Sequence, residues 1–138
     1  MSTASELLQQ HFHLLVDDNA AWQKLIADDI VWELPYAAGI GHPTRLNGRE
    51  EVLSHVSWFV SAVADFRFFD LRIVAGANPQ QAVAQVCAEG LIKPTGRMYR
   101  QEYVVFLDAW AGKIAHLREY FDPIQAAKAL DAAIVGLD

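Results

Sequence analysis

Four β-rich runs follow one another through the second half of the chain, at residues 66–74, 82–92, 97–107 and 113–122. Gly76-Ala77-Asn78-Pro79, Pro94-Thr95-Gly96 and Ala111-Gly112 separate them as turns. Strands that come in a series after helices, without alternating with them, favour an α+β fold with an antiparallel sheet over stacked βαβ units. The remaining elements must then cover that sheet.

The first half supplies them. Leu8, Phe12 and Leu15 recur at helical spacing with Leu7, His11 and Leu14 beside them, which predicts an amphipathic helix over residues 4–16. Asn19 is expected to cap a second, shorter helix that buries Trp22, Leu25 and Ile26. After Asp28-Asp29 the period becomes two. Val31, Glu33 and Pro35 then point one way, and Trp32, Leu34 and Tyr36 the other. Gly39, Gly41 and Pro43 mark a loop over residues 37–43, after which a brief strand at 44–46 returns beside the first. Asn47 and Glu50 have the spacing of a capping box. The helix they start carries Val52, Val56, Phe59 and Val63 on one stripe, flanked by His55, Trp58 and Ala62. Pro123 opens a final helix, residues 124–134, at the position that tolerates proline.

Composition narrows the function. A chain of 138 residues with 53% hydrophobic content is expected to form one domain, residues 1–138, with a packed core. A net charge of −6 argues against nucleic acid and anionic membranes as partners. No apolar stretch approaches the roughly 20 residues a membrane span needs, and residues 1–10 lack a basic, then apolar, leader. A cytoplasmic location is the expectation. Cys87, the single cysteine, allows no internal disulfide and is expected to be a small buried hydrophobe. The five histidines show no metal-ligand spacing, and there is no phosphate-binding glycine loop and no GxSxG. Neither metal nor organic cofactor is expected.

The last strand carries the most chemistry. Ala115, Leu117, Glu119 and Phe121 share one face, and Ile114, His116, Arg118 and Tyr120 the other. Glu119 is a lone carboxylate on an apolar face. Burial there would raise its pKa toward the range useful for proton transfer; a partner on a neighbouring strand or an exposed edge would leave it structural. On the preceding strand Tyr99, Gln101 and Tyr103 lie among apolar residues. They are either donors to a ligand or aromatic pairs of an ordinary sheet. His55, one residue off its helix's apolar stripe, is either a pocket residue or a solvated flank.

Taken together, LIADDIVWELPYAAG, TRLNGREEVLSHVSWF, DFRFFDLRIVAG, GRMYRQEYVVFL and GKIAHLREYFDPIQAAKAL resemble the SnoaL-like branch of the nuclear transport factor two-like superfamily. Within it they are most similar to the phenazine biosynthesis A/B proteins, over about residues 25–130. The resemblance implies a cone, an α+β roll in which a curved antiparallel sheet wraps around N-terminal helices. It also implies a homodimer formed through the outer sheet face. It places Glu119 as acid–base catalyst, His55 as the pocket histidine and Tyr99 to Tyr103 on the lining strand. We expect Glu119, His55 and Tyr103 to be catalytic, and Tyr36, Trp58, Phe59, Tyr99, Gln101, Leu117 and Phe121 to line the pocket. Phe59 falls where the family has a small polar residue, and no arginine matches one that would hold a substrate carboxylate. The expected function is therefore a small-molecule isomerase, cyclase or condensing enzyme acting on an apolar ligand, with a non-catalytic binding protein as the alternative.

Overall fold

In a computed structural model, described for residues 1–137, the chain forms helix α1 (Ala4–Leu14), a short α2 (Asn19–Trp22), and strand β1 (Ile26–Glu33). A 3-10 turn (Ala37–Ile40), β2 (Arg45–Asn47) and α3 (Gly48–Ala62) come next. Strands β3 (Val63–Ala75), β4 (Gln81–Ile92), β5 (Arg97–Trp110) and β6 (Lys113–Tyr120) then precede α4 (Pro123–Leu130). The six strands make one sheet in the order β2-β1-β6-β5-β4-β3. All adjacent pairs are antiparallel except β1 and β6, which run parallel and close the meander onto the N-terminal hairpin. The sheet is otherwise antiparallel, as the series of strands leads one to expect.

The sheet curves because β3 is bulged twice against β4, between Ala64 and Arg67 and between Phe69 and Arg72. Asp65 and Asp70 sit in these stretches with φ of 53° and 54°, a left-handed conformation that Asp tolerates better than most residues. Gly90 lets the strands approach at the first bend. A Cβ there would lie 2.5 Å from Val63 Cγ1 and 3.1 Å from the Phe66 Cα.

Local chemistry differs from the expected signals in several places. Asp18, not Asn19, caps α2, accepting from the Ala21 N–H at 3.2 Å. Asn47 sits at the α3 N-cap without a side-chain cap bond; its own N–H donates to Glu51 Oε2, so Glu51 takes the place expected of Glu50. β1 starts at Ile26 and ends at Glu33, and its pairing with β6 shifts register between Ile26 and Val31. α4 stops at Leu130, where Asp131 adopts φ 54°. Cys87 is half-buried, not buried. Ile114, expected on the outer face, is fully buried, since the strand pair β5–β6 shifts register between Asp108 and Ala109.

α1 lays Leu7, Leu8, His11 and Phe12 into the concave side of the sheet, and Trp22 is wholly buried beside them. α3 covers the other side of the opening with Val52 and Val56. Arg49 ties it to the chain before β1, donating to the carbonyls of Gln23 at 2.7 Å and Ile26 at 3.2 Å. No helix among the described residues is long and apolar enough to cross a membrane.

Candidate active site

Between α1, α3, α4 and the concave sheet lies a hollow of about 90 Å³. Aromatic side chains make up a large part of its walls: Phe12, Trp32, Trp58, Phe59, Phe66, Phe68, Tyr99, Tyr103 and Phe121. The interior is smaller than the ~150 Å³ cavity that encloses a benzene molecule, so a ring-sized ligand would also occupy the mouth. His42, His55 and Trp58 belong both to the hollow and to a surface depression outside it, and so mark the mouth.

β6 brings Glu119 to this hollow. In the ladder it lies opposite Val105, so Tyr103, two residues along on the same face of β5, is a diagonal neighbour. Glu119 retains some accessible surface, although protein surrounds its carboxyl group. Glu119 forms part of the wall of the hollow. Desolvation pushes its pKa from 4.5 up to about 8. Glu33 on β1 shows the contrast. Its carboxylate is held below the usual range, chiefly by the hydrogen bond with His116, with Arg118 contributing at 3.1 Å.

Tyr99 and Tyr103 both lean toward one point, their hydroxyls 2.8 Å apart. Burial raises the pKa of each, so both are phenols near neutrality. His55 reaches the hollow from α3, edge-on to Trp32 at 5.9 Å and to His42 at 5.1 Å. Burial, then the neighbouring His42, lower its pKa to about 4, leaving a neutral imidazole at pH 7. Phe59 packs against Phe66 at 4.9 Å and Tyr99 at 5.8 Å, narrowing the interior where a small polar side chain would have widened it.

The hollow thus gathers Glu119, His55, Tyr103, Tyr99, Trp58, Phe59 and Phe121 of the residues expected from the sequence. Tyr36, Gln101 and Leu117 are not among its walls. Tyr36 follows the end of β1, where alternation no longer orients it, and is 54% exposed against Tyr120. Gln101 shares a face with the tyrosines but turns to Asp122, accepting from its N–H at 2.7 Å and donating to its carbonyl at 2.9 Å. Asp122 in turn caps α4, accepting from the Ile124 N–H at 2.9 Å. Gln101 therefore positions the helix that brings Ala126 and Leu130 to the hollow. Leu117 lies wholly in the packed core. His11, His42 and Trp32 also form walls, although helical and strand periodicity gave them no polar role. Among the described residues no group of three or more His, Cys, Asp or Glu side chains could hold a metal ion.

A curved six-stranded sheet with helices packed on its concave side defines an α+β roll. The SnoaL-like domain model matches residues 8–117, and the chain belongs to that family. An uncharacterised PhzA/B-like protein of Pseudomonas aeruginosa is 30% identical over 128 residues, 92% of this chain and 89% of that one. Among solved structures, a provisionally named isomerase from Bacillus subtilis superposes with a TM-score of 0.84 at 23% identity, covering 96% of this chain and 95% of the other. A phenazine biosynthesis-related protein from Pseudomonas aeruginosa superposes at 0.80 with 17% identity, covering 98% and 85%. These two likenesses establish the fold.

Proposed function

We propose that the protein is a small-molecule isomerase, cyclase or condensing enzyme in which the Glu119 carboxyl acts as general acid and base. The observation that carries this is a single carboxyl group in an apolar hollow rich in aromatic side chains, with its pKa raised to about 8. At pH 7 such a group is about nine-tenths protonated, so it can give a proton to a ligand oxygen or, in its ionised fraction, take one from carbon. In enolisation the carboxylate removes a proton next to a carbonyl. The C–H electrons move into the new C=C bond, and the carbonyl electrons move to oxygen. Tyr99 or Tyr103 donates to that developing oxyanion, and His55, neutral at the mouth, orients the ligand. Membership in the SnoaL-like family and the likeness to a provisionally named isomerase and a phenazine biosynthesis-related protein support the reaction class.

The test is deuterium exchange into the α position of cyclopentanone, followed by NMR from pH 6 to 10. The ionised acid is the base, so the rate should rise about tenfold per pH unit and level off near pH 8. Glu119→Gln should abolish the exchange. Full exchange in that variant removes Glu119 from the reaction.

A second reading, a non-catalytic binding protein for a small apolar or aromatic ligand, is favoured by the narrow interior beside Phe59. It predicts ligand binding with no exchange in the wild type. Either reading includes pairing of two copies through the outer sheet face, where Met98, Phe106 and Trp110 are 46%, 47% and 76% exposed on β5. It also takes residues 1–138 as one working domain.

A further inference from the structure

α1 presents to the hollow a side chain that none of these assignments uses. His11 is 1% exposed and forms part of the wall beside Phe12 and Trp32. Its Nδ1 lies 2.9 Å from Nε1 of Trp22, which is itself wholly buried. An indole N–H can only donate, so Nδ1 is the accepting nitrogen. A neutral imidazole then carries its one proton on Nε2. Burial keeps the ring neutral, lowering its pKa to about 3. Trp22 therefore dictates the tautomer.

The far nitrogen is left over. Among the described residues, Trp32 Nε1 is the buried side-chain polar atom that is both sealed off and without a hydrogen-bond partner. Among the described residues His11 makes its side-chain hydrogen bond through Nδ1 and none through Nε2, and the ring forms part of the wall of the hollow. A buried N–H donor without an acceptor is destabilising. An acceptor entering the hollow would relieve it.

We propose that His11 is a ligand-contacting residue whose Nε2–H, fixed in place by Trp22, donates a hydrogen bond to an oxygen of an uncharged carbonyl compound held in the hollow. The other polar groups on the walls fit the same ligand. The Tyr99–Tyr103 pair shares one proton internally and so has a second O–H for an outside acceptor. Glu119 in its acid form also donates. No Lys or Arg among the described residues lines the hollow, so a carboxylate or phosphate would lose its water without meeting a counter-charge. Donors without cations select a ketone, enone or ester oxygen. The substrate class rests on the reading of Glu119 as the acid–base group; the donor role of His11 does not.

Cyclopentanone labelled with ¹³C at the carbonyl serves as probe for the wild type, His11→Phe and His11→Gln. The Gln amide can place an N–H near the position of the imidazole Nε2. The wild type should bind it and lower its C=O stretch relative to the ketone in an apolar solvent. His11→Phe should weaken binding about tenfold and move the stretch back toward the apolar-solvent position, while His11→Gln stays within about threefold of wild type. Equal affinity and an unchanged stretch in His11→Phe would overturn the proposal. Equal losses in both variants would reduce His11 to packing, and no binding by the wild type would remove the ligand class.

A measurement on the unmodified protein is independent of how the variants fold. Histidine ¹⁵N spectra without ligand at pH 7 should show His11 protonated at Nε2 only, and protonation at Nδ1 would overturn the proposal. A stretch that depends on His11, alongside α-proton exchange that does not depend on Glu119, would leave this inference standing and remove the proposed reaction. The reverse pair of results would do the opposite.

Discussion

Replacing Glu119 by Gln should make the protein more stable at pH 7 relative to pH 4.5, because the buried acid is a burden on the native state once it must stay protonated. Its pKa is about 8 in the fold and 4.5 when unfolded and solvated. Between those values the native state holds a proton that the unfolded chain has released. Stability therefore falls as pH rises through that window, by about 1.4 kcal/mol per pH unit. From pH 4.5 to pH 7 the loss amounts to about 3 kcal/mol, a large part of the 5–15 kcal/mol typical of a whole domain. Below 4.5 the effect vanishes, since both states are protonated. The amide of the Glu119→Gln variant keeps the size and hydrogen-bonding capacity of the acid form and does not titrate. Urea denaturation of both proteins at half-unit steps from pH 4.5 to 8.5 should give curves that coincide in shape at the acid end and diverge by about 3 kcal/mol at pH 7. Parallel curves across the range would refute the claim that the carboxyl group is desolvated.

Other elements give independent expectations. Gly90→Ala places a methyl group against Val63 and the Phe66 backbone, so it should destabilise by about 1–3 kcal/mol; thermal unfolding checks this, and an unchanged Tm would show that the β3 bend is not close-packed. Gln101→Leu breaks both bonds to Asp122 and should raise amide exchange in α4 while leaving the Glu119 titration in place; protection of α4 equal to wild type would contradict the positioning role. Phe106→Asp, on the exposed face of β5, should convert a dimer to monomer in light scattering at micromolar concentration; a wild type that is already monomeric would dismiss the outer face as an interface.

Much of this architecture is legible in the residues. The turns at Pro94-Thr95-Gly96 and Ala111-Gly112 announce themselves, and strict alternation along β5 places Tyr99 and Tyr103 inward without error. Pro123 marks the start of α4. What is not legible depends on contacts distant in sequence. The two bulges of β3 do not interrupt its β-rich run; only the pairing with β4 reveals them, and Asp65 and Asp70 are at most a weak local sign. Gln101 has the right face for a ligand contact, yet the close approach of Asp122, 21 residues on, claims both ends of its amide. His11 looks like any histidine on a helix until Trp22, 11 residues later, folds back onto Nδ1. The parallel pairing of β1 with β6 likewise joins the two halves of the chain, and no local pattern encodes it.

The account stands on Glu119 being a neutral acid inside the hollow at physiological pH. The most direct measurement is an infrared difference spectrum of wild type against Glu119→Gln, titrated from pH 4 to 10. A carboxylic-acid C=O band should persist at pH 7 and give way to carboxylate with a midpoint near 8, at a frequency that a bound ketone shifts. A band already lost by pH 6, with a midpoint near 4.5, would place the group in water and leave the hollow without its proton donor.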